Sequence, residues 1–383
     1  MQPKDEIKLK SVTISGFKSF NNDEHTIEFG DISVLIGANG AGKSNLVSFF
    51  KMIGNMMSAN LQQYIGEQGG ASSILNFGPK VSPILSAKFV FEKENIYNDY
   101  AFSLAHTVQD GLIFTHEINS YHNKTKYETP KQWIFPPGTK ESGLSLDTRK
   151  QRDYQQQANE IYYLLRKCRV YQFHDTSVSS KIRNSGYINQ NDFLYNDGGN
   201  LAAFLHALKE NEKNRPYYEK IVRHIKQVFP QFGDFVLQPG IHNENYIMLD
   251  WHEQNNVEYK FGVNQLSDGT LRFMALAALL LQSPQNLPSV IVIDEPELGL
   301  HPSAIVELAS MVKIASQHTQ IVLATQSPAL LDEFSPEQIT VIERDPISKS
   351  SVFKKKNSED LKDWLEEYTL SEMWDKNILG GRP

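Results

Sequence analysis

Gly37-Ala-Asn-Gly-Ala-Gly-Lys43-Ser44 follows the apolar run Ile32-Ser-Val-Leu-Ile36 and leads into Asn45-Leu-Val-Ser-Phe-Phe50. Strand, glycine loop and helix start in this order form the G-x-x-x-x-G-K-[ST] phosphate cradle. Gly37, Gly40 and Gly42 let backbone N–H groups approach a phosphate and form an anion nest, and Asn39, Ala41 and Asn45 belong to the same ATP-binding stretch. The helix that follows turns the positive end of its dipole toward the same oxygens. Lys43 is placed to reach the β- and γ-phosphates of ATP, and the Ser44 hydroxyl to ligate Mg²⁺. An accidental glycine loop would lack this strand before and helix after.

The second half of such a site needs carboxylates. Val290-Ile-Val-Ile293 is a buried-strand pattern ending in Asp294 and Glu295. Asp294 is the expected holder of the Mg²⁺ shell and Glu295 the residue that polarises the attacking water. Upstream, Leu266-Ser-Asp-Gly-Thr270 stands directly before an apolar helix, expected from near Leu271. Ser267, Asp268 and Gly269 thus make a second helix start able to face an anion.

The composition is that of an ordinary globular chain: 383 residues, 40% hydrophobic and 22% charged. A net charge of −7 does not advertise nucleic-acid binding, although a local basic patch fits within it. Phe273–Leu281 is the longest apolar run and is too short to cross a bilayer. Cys168 is the single cysteine, so no intrachain disulfide forms, and no signal-peptide pattern opens the chain. The expectation is a cytoplasmic protein with no membrane partner.

Strand patterns occupy Ile7–Ile14, Thr26–Phe29 and an antiparallel meander Leu85–Glu92, Tyr100–Thr107, Leu112–Tyr121 and Lys126–Glu128. Residues 150 to 230 read as helical: Ile161, Leu164, Leu165 and Cys168 share one face, Leu201, Phe204, Leu205 and Leu208 another. Strands return over Phe235–Phe261, with turns at His242–Asn245 and Gln254–Asn256, before alternating β and α elements from residue 270 onward. The expected fold is therefore α/β, with three segments: 1–135 carrying the glycine loop, a mostly helical insertion 136–235, and 236–383 carrying the acidic strand.

Together with Thr13-Ile-Ser-Gly-Phe-Lys-Ser-Phe20, Asp294–Pro302 and Ala324-Thr-Gln-Ser-Pro-Ala-Leu-Leu331, these motifs resemble the ABC-type ATPases of the SMC/RecF class. Within it they are most similar to the small RecF-like or OLD-like ATPases of the AAA family, associated with bacterial defence. The resemblance implies a P-loop NTPase fold with an ABC/SMC-type head. It implies head-to-tail packing of two copies, each ATP lying between one P-loop and the partner copy's signature Ser267, Asp268 and Gly269, and slow hydrolysis coupled to dimer opening. It gives Gln326 the switch position, where His is usual in the class; Gln donates but cannot become cationic, so turnover is expected to be slow. The SMC class threads a long coiled coil between its halves, and this chain has none.

Two roles follow from the resemblance. One is a regulatory ATPase in a defence system, dimeric or larger, that controls a separate nuclease or toxin effector. The other is a RecF-like repair ATPase that clamps DNA; the acidic net charge favours the first. Lys18 and Gln68 are weaker nucleotide-site candidates, as an adenine contact and an Mg²⁺-ligating loop glutamine. His301 reads as a structural turn residue and Lys354-Lys-Lys356 as an edge-strand guard. No motif logic assigns His174-Asp175 or Lys181-Ile-Arg183 a role. The tail carries an apolar stripe (Leu361, Trp364, Leu365, Tyr368, Met373, Trp374, Leu379), with caps at Ser358 and Ser371. It is expected to pack on its own domain, leaving Leu379–Pro383 to project only if the stripe docks a partner.

Overall fold

The computed structural model describes residues 7–147, 155–240 and 243–382. Two six-stranded sheets dominate. The core sheet runs in the order Ser351–Lys355, Ile339–Arg344, Ile32–Ile36, Gln320–Thr325, Val290–Asp294, Cys168–Tyr171. Its strands are parallel except for Ser351–Lys355. The outer sheet is antiparallel, in the order His25–Glu28, Lys8–Ser15, Ile84–Lys93, Ile96–His106, Leu112–Asn123, Lys131–Ile134.

The near-continuous apolar runs of the central strands follow from burial on both faces. In Val290–Asp294, Val290 and Val292 face one core while Ile291 and Ile293 face the other. Gln320–Thr325 divides the same way, Val322 and Ala324 against Ile321 and Leu323. The first core holds helix Lys43–Met57 between the two sheets, its Phe49, Phe50 and Met52 packed among Phe89 and Phe102 of the outer sheet. The second core holds helices Leu201–Glu210, Arg215–Val228, Asp268–Leu280 and Pro302–Ala315. The P-loop helix is thus clamped between layers, which fixes where its first turn points. Two three-stranded sheets, Phe232–Val236 with Asp250–Glu253 and Asn256–Gly262, and Pro239–Gly240 with Asn243–Ile247 and Gly186–Tyr187, complete the fold.

Several local readings change. Cys168 does not extend the helical face of Ile161 and Leu165: helix Gln155–Arg166 ends first, and Cys168 opens a strand paired in parallel with Val290–Ile293. The span 136–235 therefore supplies an edge strand to the core sheet as well as helices. Lys126–Glu128 lies outside any strand, and the last outer strand is Lys131–Ile134. Asn243–Asn245 lie in a strand where a turn was expected, while His242 lies outside the described residues. The signature helix begins at Asp268, three residues before Leu271, because Ser267 caps it.

The tail folds back. Leu361, Leu370, Met373, Trp374 and Leu379 join the second core, whereas Trp364 and Leu365 stay exposed. Thr369, not Ser371, caps helix Leu370–Asp375, in a reciprocal box with Glu372.

Candidate functional site

Strand Ile32–Ile36 delivers the glycine loop at its C-terminal end. Gly37 passes so close to the next strand that a Cβ there would lie 2.3 Å from the Ile342 carbonyl oxygen. Gly42, at φ 126°, is equally committed, since a Cβ would lie 2.0 Å from Ser351 Oγ. The Ser351 hydroxyl donates to the Ala41 carbonyl (2.6 Å) and is hydrogen-bonded with Ser19 Oγ (2.7 Å), which accepts from Asn45 Nδ2 (2.8 Å). This buried serine pair braces the loop from behind. Ala38 N–H donates to the Gly381 carbonyl at 3.0 Å, so the tail braces its entrance.

Among the described residues no acceptor is paired with the N–H groups of Gly42, Lys43 or Ser44 at the head of the fifteen-residue helix. These are the donors that a helix start leaves for an anion. Lys43 is buried and its ammonium donates to the carbonyls of Gly37 and Ala38. Burial lowers its pKa, against the pull of Glu295, Asp294 and Glu297. The lysine is thus held over the nest, within electrostatic reach of three carboxylates.

Those carboxylates come from one turn. Asp294 closes the buried strand; Gln172 Nε2 donates to its Oδ2 (2.6 Å) and His174 Nε2 bonds its carbonyl oxygen (3.0 Å). Burial raises the Asp294 carboxyl above its ordinary value, and Gln172 opposes the rise. Glu295 has φ 46°, a left-handed conformation uncommon for a non-glycine residue, and its N–H donates to Ala324 O (2.7 Å). Such backbone costs about 1–3 kcal/mol and persists where its surroundings impose it. Here the strained residue faces Gln326, whose Nε2 donates to Glu295 Oε1. Glu297 accepts from Thr325 Oγ1 (2.6 Å) and the Gln326 N–H (3.2 Å), while its Oε2 is buried without a partner. Burial raises the Glu297 carboxyl too.

A hard divalent cation suits this donor set. The Ser44 hydroxyl is exposed beside the nest, and among the described residues no donor is paired with Asp294 Oδ1. Both are oxygen ligands of the kind Mg²⁺ prefers, with room for water and phosphate oxygens. No cluster of three or more His, Cys, Asp or Glu offers an all-protein metal cage among the described residues.

The signature start is built separately. Ser267 Oγ accepts from the Thr270 N–H (3.1 Å), and Asp268 receives Arg183 Nη2 (2.7 Å). Arg183 is buried and also donates to the carbonyls of Thr176, Val263 and Leu266. A Cβ on Gly269 would lie 2.2 Å from the Gly299 carbonyl oxygen, so the signature helix touches the turn after Glu297. Arg272 reinforces the join by donating to the carbonyls of Phe173, His174 and Leu298. Among the described residues no hydrogen bond links residues 267–270 with 37–45.

The supports of the loop, the carboxylates and the signature had no role in the sequence: His174 and Arg183 stood out without one, and Gln172, Arg272 and Glu297 did not stand out. Gln172, His174 and Arg183 lie on the segment that leaves the edge strand Cys168–Tyr171, far in sequence from the motifs they serve. Glu297 and Arg272 are local to their motifs, two residues after Glu295 and Thr270 respectively. Of the weaker candidates, Gln68 is exposed at the end of helix Leu61–Glu67. Lys18 is half-buried, its ammonium 5.7 Å from the centre of the Phe17 ring. His301 caps helix Pro302–Ala315, its Nδ1 accepting from the Ser303 N–H (3.4 Å). Cys168 is buried and its thiol is pushed up to about 12.

Residues 32–332 match the family described as AAA domain, putative AbiEii toxin, type IV toxin–antitoxin system. The chain belongs to this family. The match spans the glycine loop, the signature, the acidic strand and Gln326, so this AAA domain contains every motif of the site. No curated protein matches at a significant level. Among solved structures, an Smc head bound to the C-terminal winged-helix domain of ScpA is similar at TM-score 0.56 and 13% identity, covering 93% of this chain and 99% of that one. A Pyrococcus furiosus Smc head with an extended coiled coil, bound to the C-terminal domain of ScpA, gives 0.57 at 13% identity, covering 94% and 99%. A Pyrococcus yayanosii Smc head with a coiled coil and joint gives 0.51 at 11%, covering 94% and 99%. At these identities the likeness establishes the fold alone: this AAA domain has the P-loop NTPase fold in its SMC-head form. Among the described residues no helix is long and apolar enough to cross a membrane.

Proposed function

We propose that this chain is a slow, ATP-hydrolysing regulatory ATPase that pairs head to tail around ATP and controls a separate effector, a nuclease or toxin, in a bacterial defence system. The observation that carries the reading is the juxtaposition of Lys43, over a nest of free N–H groups, with Asp294 and Glu295 on the facing turn.

In this reading the N–H groups of Gly42, Lys43 and Ser44 and the Lys43 ammonium bind the β- and γ-phosphates. Ser44 and Asp294 hold Mg²⁺, which when bound neutralises charge on those phosphates. Glu295 takes a proton from the attacking water as its oxygen bonds to the γ-phosphorus. The bond to the β–γ bridging oxygen breaks, giving ADP and inorganic phosphate. Gln326 positions Glu295 in the resting state. Ser267, Asp268 and Gly269 make no hydrogen bond to their own P-loop, which suits a signature offered to a partner copy. The family's toxin–antitoxin description and a net charge of −7 favour effector control over DNA clamping.

Phosphate release by the purified chain with ATP and Mg²⁺ tests the catalytic half. Lys43→Ala should abolish ATP binding, and Glu295→Gln should retain it while hydrolysis falls by about 10²–10⁴. Undiminished hydrolysis in Glu295→Gln would refute the assignment.

A further inference from the structure

A cleft of about 780 Å³ lies along the sheet-edge strand Cys168–Tyr171, between the back of helix Lys43–Met57 and residues 193–197. Three cations line it: Lys51, Arg166 and Arg169. Each points at something other than a carboxylate. The Lys51 ammonium donates to Gln172 Oε1, Arg166 Nη1 donates to Tyr162 Oη (3.1 Å), and the Arg169 guanidinium stacks 3.5 Å from the centre of the Phe193 ring. The two acidic residues in the lining are turned elsewhere: Glu67 accepts from Gln63 Nε2, and Asp197 pairs with Lys181 at 3.2 Å.

Lys51 and Arg169 are half-buried, and among the described residues no carboxylate is hydrogen-bonded to any of the three cations, an arrangement that costs desolvation energy. Burial lowers the pKa of Lys51 against the pull of Asp294, and that of Arg169 against the opposing effect of Tyr171, with the neighbouring Arg166 adding to the fall. An anion seated here would offset that cost. Two guanidinium forks and an ammonium match phosphate oxygens, and the volume is that of a small-molecule pocket.

We propose that this cleft is a second ligand site, separate from the P-loop, for a small phosphate-bearing anion. It is wired to the first site. Lys51 holds Gln172, and Gln172 holds Asp294 Oδ2 at 2.6 Å. An anion that draws Lys51 away frees Gln172 and changes how Asp294 receives Mg²⁺. The wiring rests on the ATPase reading; the binding does not.

Calorimetric titration of inorganic tripolyphosphate into the Lys43→Ala protein isolates the cleft from the P-loop. Saturable one-site binding is expected, weakened about tenfold or more in Lys43→Ala carrying Arg166→Gln or Arg169→Gln. Arg166 is exposed, so its variant should fold even where Arg169→Gln does not. Arg166→Gln alone should leave ATP binding unchanged, which separates loss of the cleft from loss of the ATPase. At matched free Mg²⁺, tripolyphosphate should also shift the Mg²⁺ midpoint for ATP binding in the unaltered protein more than in Arg166→Gln. No binding to Lys43→Ala, or binding indifferent to both arginine variants, would overturn the proposal. So would an oligo-glutamate peptide or an oligothymidylate bound through these arginines that tripolyphosphate cannot displace.

Discussion

Gln326 Nε2 donates to Glu295 Oε1, so the residue expected to read the γ-phosphate is held by the residue expected to polarise water. Glu295 is pinned at φ 46° and Gln326 is anchored through its N–H to Glu297, so the pair is a set contact between constrained backbones. With one Nε2–H spent on Glu295, the neutral amide has only its second N–H for the γ-phosphate, and it brings no positive charge. Gln326→His, which can carry charge, should raise steady-state phosphate release by about tenfold. No gain would count against slow turnover arising at this position.

The tail is a strap on the P-loop. Gly381 O accepts from Ala38 N–H, and a Cβ at Gly380 or Gly381 would lie 2.3 Å from Glu343 Oε1 or 2.6 Å from Val341 Cγ1. One such hydrogen bond is worth about 0.5–1.5 kcal/mol. Truncation after Gly380 should weaken ATP binding roughly two- to tenfold while leaving Leu379 and the core in place. Equal affinity by fluorescent-nucleotide titration would show that the strap does not support the loop.

What was legible in the chain follows from where its information lies. The glycine loop, Asp294-Glu295 and Leu266–Thr270 are each contiguous, and the apolar runs before and after them declare strand or helix. Both the fold and one shell of the site followed. Arg183 lies 85 residues from Asp268, and Gln172 lies 122 from Asp294, so only the packed sheet brings each pair together. Cys168 misled for a related reason. Four residues of strand after a helix keep the apolar spacing of one more turn, and only pairing with Val290–Ile293 decides between them.

Arg183 is a positioning residue for the signature. It holds Asp268 and the Leu266 carbonyl and would not touch nucleotide in its own copy. Arg183→Lys keeps the charge but loses the fork. It should leave ATP affinity of the isolated chain near its original value while reducing ATP-driven pairing several-fold. A variant that pairs undiminished in sedimentation velocity would remove Arg183 from the mechanism.

Burial holds the Glu297 carboxyl above its ordinary 4.5. The folded chain then binds this proton more tightly than the unfolded chain. That contribution to stability is complete below pH 4.5 and is lost as pH rises through the folded pKa. Glu297→Gln abolishes it, so the Tm of the unsubstituted chain should fall relative to the variant between pH 4.5 and neutrality. Asp294 shifts in the same direction but is common to both proteins. A Tm difference that stays constant across this range would contradict the burial argument.

The central claim is that ATP joins two copies through the P-loop of one and the signature of the other. Glu295→Gln should bind ATP and stall before hydrolysis, so light scattering after size exclusion tests the claim directly. With saturating ATP and Mg²⁺ the variant should run as a dimer, and adding Ser267→Arg should return it to monomer with ATP still bound. A Glu295→Gln protein that binds ATP and remains monomeric would contradict the account.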